Sequence, residues 1–454
     1  MSNDPNPALR PSITRSGFGR RRFIQLGAGT ALTAALAACS SKSSSLPPST
    51  SRPTSTSSGP TTSTAPAGTG PLSTTVTTTL SPTSLPTAGS NDHTLVIVQL
   101  NGGNDALNTL VPTAGRYRDA RPTLAIPEAD LVALSATTDW SLHPSLAPLT
   151  KYWDAGTAAF LPGIGFSEPN HSHFVSLDRW WRADDLSAST GWLGRSVDAG
   201  ALSPLYATSL GSGAPLLRSE TFQPAVVLQP SAFDFPNALP QDVLRRLAEP
   251  VSADPLHALA QASITSTIAA VQAFALLLTP DTSGGDGSDQ VTYREGGLDL
   301  VAGLDLAARL VTANVGARIV VVSAGGFDTH SNQLTTHAAL LDDLARGIDA
   351  FMQAVTAAGA ADRTLLVTTS EFGRRVAENA SGGFDHGAGG MSMLFGAAVQ
   401  GGIHSEVDLG NQLDGDVRPT VDPRTMYTAC LDWLGLDSVT ALGKRYDDLA
   451  LLRA

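Results

Sequence analysis

Four apolar runs, each ending in a polar loop that holds Asp, His or Glu, constrain this chain more than any other feature. The runs are 94–100, 158–164, 318–323 and 364–369. Their loops read Asn101-Gly102-Gly103-Asn104-Asp105, Asn170-His171-Ser172-His173, Gly326-Phe327-Asp328-Thr329-His330 and Ser370-Glu371-Phe372-Gly373-Arg374. A fifth polar cluster, Gly383-Phe384-Asp385-His386-Gly387, follows the last of them. Runs of six or seven apolar residues with no polar alternation suit strands buried on both faces. In open α/β sheets ligands bind beyond the carboxyl ends of the strands. The chemistry of this chain is therefore expected on one rim.

The segments between the runs carry helical periodicity. Leu300, Leu304, Ala307 and Val311 repeat at helical spacing, as do Leu340, Leu344, Ile348, Phe351 and Val355, the latter stopped near Gly359. Residues 256–278 form another helical candidate, and 391–396 another strand. Strand, helix, strand in this order implies parallel crossovers. The expected fold is α/β: a three-layer sandwich with a mostly parallel sheet and helices on both faces. The stretch 201–291 is less legible, and its Gly284-Gly285-Asp286-Gly287-Ser288-Asp289 run reads as a surface loop. A calcium loop would need a terminal Glu that this run lacks.

The N-terminus reads as an address. Arg20-Arg21-Arg22-Phe23-Ile24 opens an apolar stretch too short for a membrane span, which is the pattern of a twin-arginine export signal. It ends Leu36-Ala37-Ala38-Cys39, similar to a bacterial lipobox. Either Cys39 is lipidated and anchors the chain to a membrane, or an ordinary signal is cleaved near Ala38. Residues 40–92 are rich in Ser, Thr, Pro and Gly, too polar to offset the entropy of ordering. They read as a flexible tether with a span on the order of 40 Å. Residues 93–454 then form one large domain. The expected location is the cell envelope, anchored or secreted, with the twin-arginine export machinery as a partner.

Formal charge is −12, and removing residues 1–39, which carry a net +4, leaves −16. Nothing in that balance favours nucleic acid. An anionic substrate would need a metal or a local basic patch. The two cysteines, Cys39 and Cys430, leave the folded part without an internal disulfide. Met426, Cys430 and Trp433 fall at helical spacing, so Cys430 reads as a buried thiol.

Asp328-Thr329-His330, preceded by Gly325-Gly326, is the sharpest motif. A carboxylate and an imidazole two residues apart can converge on one metal where the backbone turns, and glycine permits the turn. Carboxylate with imidazole suits zinc, manganese or iron better than calcium. The alternative is a helix cap by Asp328 with an incidental His330. Asp385-His386 is a second ligand pair or a turn. Ser172 between His171 and His173 is either an activated nucleophile at a helix start or an N-cap. His171 and His173 can also bind an anion or a metal. Glu371 can ligate, and Arg374 can clamp an oxyanion bidentately. Asp105 is a further ligand or the cap of 106–110. His143 before Pro144 and the pair Trp180-Trp181 read as packing.

Taken together, these motifs resemble the domain of unknown function 1501 family. The resemblance lies in 95–105 with Leu107-Asn108-Thr109-Leu110-Val111-Pro112, in Ser172-His173-Phe174, in Gly326–His330, in Ser370–Arg374 and in Asp385-His386-Gly387. It covers about 92–436. That family is grouped with the alkaline phosphatase and sulfatase superfamily. The grouping implies an alkaline phosphatase-like sandwich with a two-metal site at its carboxyl rim. By the resemblance, Asp105 or Asn101 matches the first-strand Asp, and Ser172 lies near the nucleophile position. Asp328, His330 and His386 match metal ligands. Glu371-Phe372 stands where the superfamily usually has Asp-His, and Phe372 cannot ligate. Either one metal remains, or Glu371 and Asp385 reshape the pair. The implied cofactor is a divalent metal, Zn or Mn, as one or two ions.

The expectation is an exported metal-dependent hydrolase of phosphate or sulfate esters. Its catalytic residues are Ser172, His173 and Arg374, its metal residues Asp105, Asp328, His330, Glu371, Asp385 and His386. Its substrate is a small-molecule or glycan ester. The rivals are a non-catalytic cell-surface binding protein on the same fold and a phospho-group transferase acting on envelope glycans.

Overall fold

A computed structural model describes residues 92–453 except 114, 198–202, 204, 229–241, 244–245, 247–253, 279–292, 295–296 and 448. The export signal, Cys39, the linker up to residue 91 and the Gly284–Asp289 run lie outside the described residues.

The centre is an eight-stranded sheet. Its strands are β1 (Thr94–Leu100), β2 (Ala158–Ile164), β3 (Ala207–Leu210), β4 (Ala225–Val227), β5 (Ile319–Ala324), β6 (Thr364–Thr369), β7 (Gly390–Phe395) and β8 (Gly402–Ile403). Their spatial order is β8-β2-β7-β6-β1-β5-β3-β4. Strand β1 pairs in parallel with both β5 and β6, so the chain crosses over β1 between them. Strand β7 is antiparallel to both its neighbours, β6 and β2. The remaining pairings are parallel. This is the mostly parallel α/β sandwich the sequence predicts, with one reversed strand that periodicity could not reveal.

Every residue of β1 is buried, and its side chains divide between two layers. Val96, Val98 and Leu100 join one core with α4 (Leu300–Thr312) and α5 (Gln333–Ala357). Leu95 and Ile97 join another with α2 (His173–Arg182) and α6 (Pro423–Leu434). The period of two sends alternate residues to opposite faces. Burying each such side chain contributes on the order of 1.5–3 kcal/mol. The helices end where the sequence says. Asp299 caps α4 by accepting from the Val301 and Ala302 amides, and Gly359 follows α5 with φ +67°. In α6, between the Asp422 cap and the left-handed Gly435, Cys430 is buried and its thiol is pushed up to about 12 by burial. Helix α3 (Pro255–Leu278) covers the 256–278 candidate. Helix α1 (Ala106–Thr109) is a single turn that runs into a short strand, Leu110–Pro112.

Candidate metal centre

The topology gathers the loops. Asp328 and His330 follow β5, Glu371 follows β6, and His173 opens α2 after β2. His386 precedes β7, whose reversed direction puts its start at the carboxyl rim of its neighbours. Two glycines let the loops close. Gly326 takes φ +105°, and a Cβ on Gly102 (φ +120°) would lie 2.3 Å from the Asp328 amide nitrogen.

Three imidazoles converge on the Asp328 carboxylate. His330 Nε2 and His386 Nε2 each lie 3.1 Å from Oδ1, and His173 Nε2 lies 3.5 Å from Oδ2. The two ring nitrogens His330 Nε2 and His386 Nε2 are 2.9 Å apart. His173, Asp328 and His386 offer ligand atoms that all lie within 4.8 Å of one another.

Each ring is held from behind by its other nitrogen. His173 Nδ1 meets Glu371 Oε1 at 2.8 Å, His330 Nδ1 meets Asp385 Oδ1 at 3.2 Å, and His386 Nδ1 meets the His171 carbonyl at 2.6 Å. An acceptor on Nδ1 fixes the tautomer and turns the Nε2 lone pair toward the centre, as in metal-ligating histidines. Glu371 is itself buried and accepts from the Gly102 amide at 2.7 Å.

Charge follows the same geometry. Burial alone would raise the Asp328 carboxyl, but the Arg374 guanidinium, His386 and His173 outweigh it and hold it below its usual value. The hydrogen bond to Glu371 raises His173, whereas burial lowers His386 and favours its neutral, ligating form. The Asn379 amide and His330 keep Asp385 ionised. Asp328 is 46 % exposed and His330 44 %, so the centre opens to solvent.

These residues fit a divalent cation. Nitrogen and oxygen ligands about 2.0–2.1 Å from zinc stand on the order of 3.3 Å from one another in a tetrahedron. Four of the separations, 2.9–3.5 Å, bracket that value, and the set His173, Asp328 and His386 closes within 4.8 Å. Without a cation, the facing His330 and His386 nitrogens can share only one proton.

Three expectations need correction. Asp105 is not a ligand: it caps α1, its Oδ1 accepting from the Leu107 and Asn108 amides, and both oxygens bind the buried Arg121. Gln333 Nε2 also donates to Oδ2 at 3.1 Å, so the carboxylate is saturated. Arg374 is not an oxyanion clamp. It is 1 % exposed, and its donors go to the carbonyls of Gly102, Gly103, Phe327 and Phe384 and to Asp328 Oδ1 at 2.7 Å. Glu371 and Asp385 sit behind His173 and His330 rather than among the converging atoms. Ser172 is the N-cap residue of α2, but its side chain makes no cap bond. Asn101 Oδ1 accepts from Gln99 Nε2.

Phe372 packs against the histidines of the centre. Its ring centroid is 4.6 Å from His386 and 5.0 Å from His173. Asp416, in the Asp414-Gly415-Asp416 turn, belongs to none of the motifs read from the sequence. Buried and raised by that burial, it meets His171 Nε2 at 2.8 Å.

The family described as Protein of unknown function (DUF1501) matches residues 141–449. The chain belongs to this family. The DUF1501 match takes in every converging residue and extends past the expected end, whereas the β1 loop that carries Asp105 precedes it. No curated protein matches the chain in sequence. Similar solved structures include a protein in the alkaline phosphatase superfamily from Vibrio parahaemolyticus: identity is 11%, coverage 81% of this chain and 74% of that one, and TM-score 0.35. The lipoteichoic acid synthase LtaP from Listeria monocytogenes is 9% identical over 80% of this chain and 76% of that one, with TM-score 0.36. The phosphonate monoester hydrolase SpPMH from Silicibacter pomeroyi is 11% identical over 78% of each chain, with TM-score 0.34.

Proposed function

We propose that this DUF1501 chain is a metal-dependent hydrolase of phosphate or sulfate esters. The observation that carries the reading is the convergence of three Nε2 atoms on Asp328, each ring braced at Nδ1. His173, Asp328, His330 and His386 would hold one zinc or manganese ion, and Phe372 argues against a second. When bound, such an ion polarises an ester oxygen and lowers the pKa of coordinated water.

The protein's own groups do the rest. Arg374 fixes Asp328, while Glu371 and Asp385 orient His173 and His330. The amino end of α2, left uncapped by the Ser172 side chain, favours an anionic ester oxygen beside the centre. Ser172 is one candidate nucleophile and water the other. Loss of no activity in Ser172→Ala removes the serine route. An export signal with an anchor at Cys39 would place the enzyme in the cell envelope, and mass spectrometry of the mature N-terminus tests that.

Metal analysis of the purified protein tests the reading. We expect near-stoichiometric zinc or manganese in the wild type, lost in Asp328→Ala and His386→Ala, and turnover of aryl phosphate or sulfate esters that follows the metal. A wild type that takes up no metal even after reloading overturns the proposal. The remaining reading would then be a binding protein, since Phe372 already departs from a two-metal site.

A further inference from the structure

Helix α2 leads away from the metal centre toward a pair of cavities. His173 opens it, and Phe174, Asp178 and Trp181, spaced by four and three residues, share one of its faces. Phe174 is 86% exposed, the most exposed of the large hydrophobic residues described. Seven residues and about 10 Å further along the helix, Trp181 is pinned by its indole N–H, which donates to Gln99 Oε1 at 2.8 Å.

Trp181 and Asp178 line a cavity of about 130 Å³. It shares Pro215 and Arg218 with a second cavity of about 260 Å³, also lined by Gln223. These residues follow β3, which pairs in parallel with β5, so the cavities lie on the same rim as Asp328. Arg218 is exposed and, among the described residues, has no carboxylate partner. On a chain this acidic, an unpaired guanidinium in a cavity is the local basic site an anionic ligand needs. Two aromatic faces, an amide and a free arginine in one track suit a chain of polyhydroxylated rings bearing negative charge better than a compact ester.

The geometry points to an extended substrate: an acidic oligosaccharide that lies along α2, with its ester at the metal centre and a further anionic substituent on Arg218. This rests on the hydrolase reading for the ester end, but the track itself is testable by binding alone. The test is calorimetric titration of the purified protein with oligogalacturonate and chondroitin sulfate oligosaccharides, with maltooligosaccharides as the uncharged control. We expect the acidic chains to bind at least tenfold more tightly than the neutral ones. Arg218→Ala should lose that preference, and Phe174→Ala should weaken binding several-fold; both positions are exposed, and unchanged melting temperatures would show intact folds. His330→Ala should lose metal and ester turnover yet keep oligosaccharide binding, which separates failure of the track from failure of the hydrolase reading. Equal affinity for acidic and neutral chains, no binding of any acidic chain, or an Arg218→Ala variant that binds like the wild type overturns the inference.

Discussion

Two carboxylates on this rim have similar neighbours and opposite designs. Asp105 and Asp328 each face an arginine, and each lies near histidines. Around Asp105 everything is closed. Arg121, Asn108, Gln333, His337, Asn104 and His143 are all buried; Arg121 and Gln333 donate to Asp105, Arg121 to Asn108 Oδ1, His337 meets Asn104, and His143 accepts from the Ser145 amide, while Gln333 Oε1 is buried without a partner. Around Asp328 the arginine is buried but the carboxylate and His330 reach solvent, and three imidazole nitrogens aim at it. A saturated carboxylate holds a fold together. An exposed one ringed by braced imidazoles is what the proposed metal site requires.

Paired substitutions break the comparison most sharply. Removing one side of a buried ion pair leaves an uncompensated charge, which costs about 3–5 kcal/mol. Asp105→Ala should therefore lose that much in denaturant unfolding; Asp328→Ala also leaves a buried arginine, Arg374, but one that keeps its carbonyl acceptors and can take water through the open centre, so in the metal-free protein it should lose clearly less. Equal losses would make the Asp328 cluster structural too. Metal sharpens the same contrast. At a free concentration a hundredfold above Kd, zinc should stabilise the wild type by about 2.7 kcal/mol and leave Asp328→Ala unmoved. Thermal melts with and without chelator read this directly.

What the sequence conveyed and what it withheld divide along the same line. Strand runs and helical repeats are local, and β1, β5, β6, α4 and α5 stand where their periodicity puts them. The loops after those strands had to share a rim, so Asp328, His330 and His386 could be grouped in advance. Saturation is not local. An Asp after a Gly-Gly turn looks the same whether it caps or ligates, and the partner that decides the matter, Arg121, lies sixteen residues on with no motif around it. Arg374 reads as a clamp only until its burial is known. The direction of β7 is equally silent in its residues, and that direction is what brings His386 to the rim.

Glu371 tests the middle ground, a buried carboxylate that serves the open centre. Loss of a carboxylate behind a ligating histidine typically costs 10–100-fold in metal affinity. Glu371→Gln keeps the shape and the contact with the Gly102 amide, so it should weaken zinc binding by that factor with little change in metal-free stability. Unaltered affinity would mean that His173 does not ligate, and that the centre is Asp328, His330 and His386 alone.

The smallest expected effect distinguishes the closed centre by pH. Burial lowers His143 to about 4 and His337 to about 3, and Nε2 of His337 meets Asn104 Oδ1 at 2.9 Å. Unfolded, both titrate near 6.5, so below that pH the unfolded chain binds more protons than the folded one. Their contribution is therefore complete above about 6.5 and declines as pH falls toward 4 and 3. Between pH 6 and 5 each should cost about 1 kcal/mol, before ordinary carboxylates begin to protonate. His173 works in the opposite sense, because Glu371 raises it and its contribution disappears as pH rises. Denaturant unfolding at a series of pH values separates them: His337→Gln should reduce the acid slope by about half, whereas His173→Gln should steepen it. A slope untouched by His337→Gln would mean that the closed centre admits a proton, and the contrast between the two carboxylates would lose its physical basis.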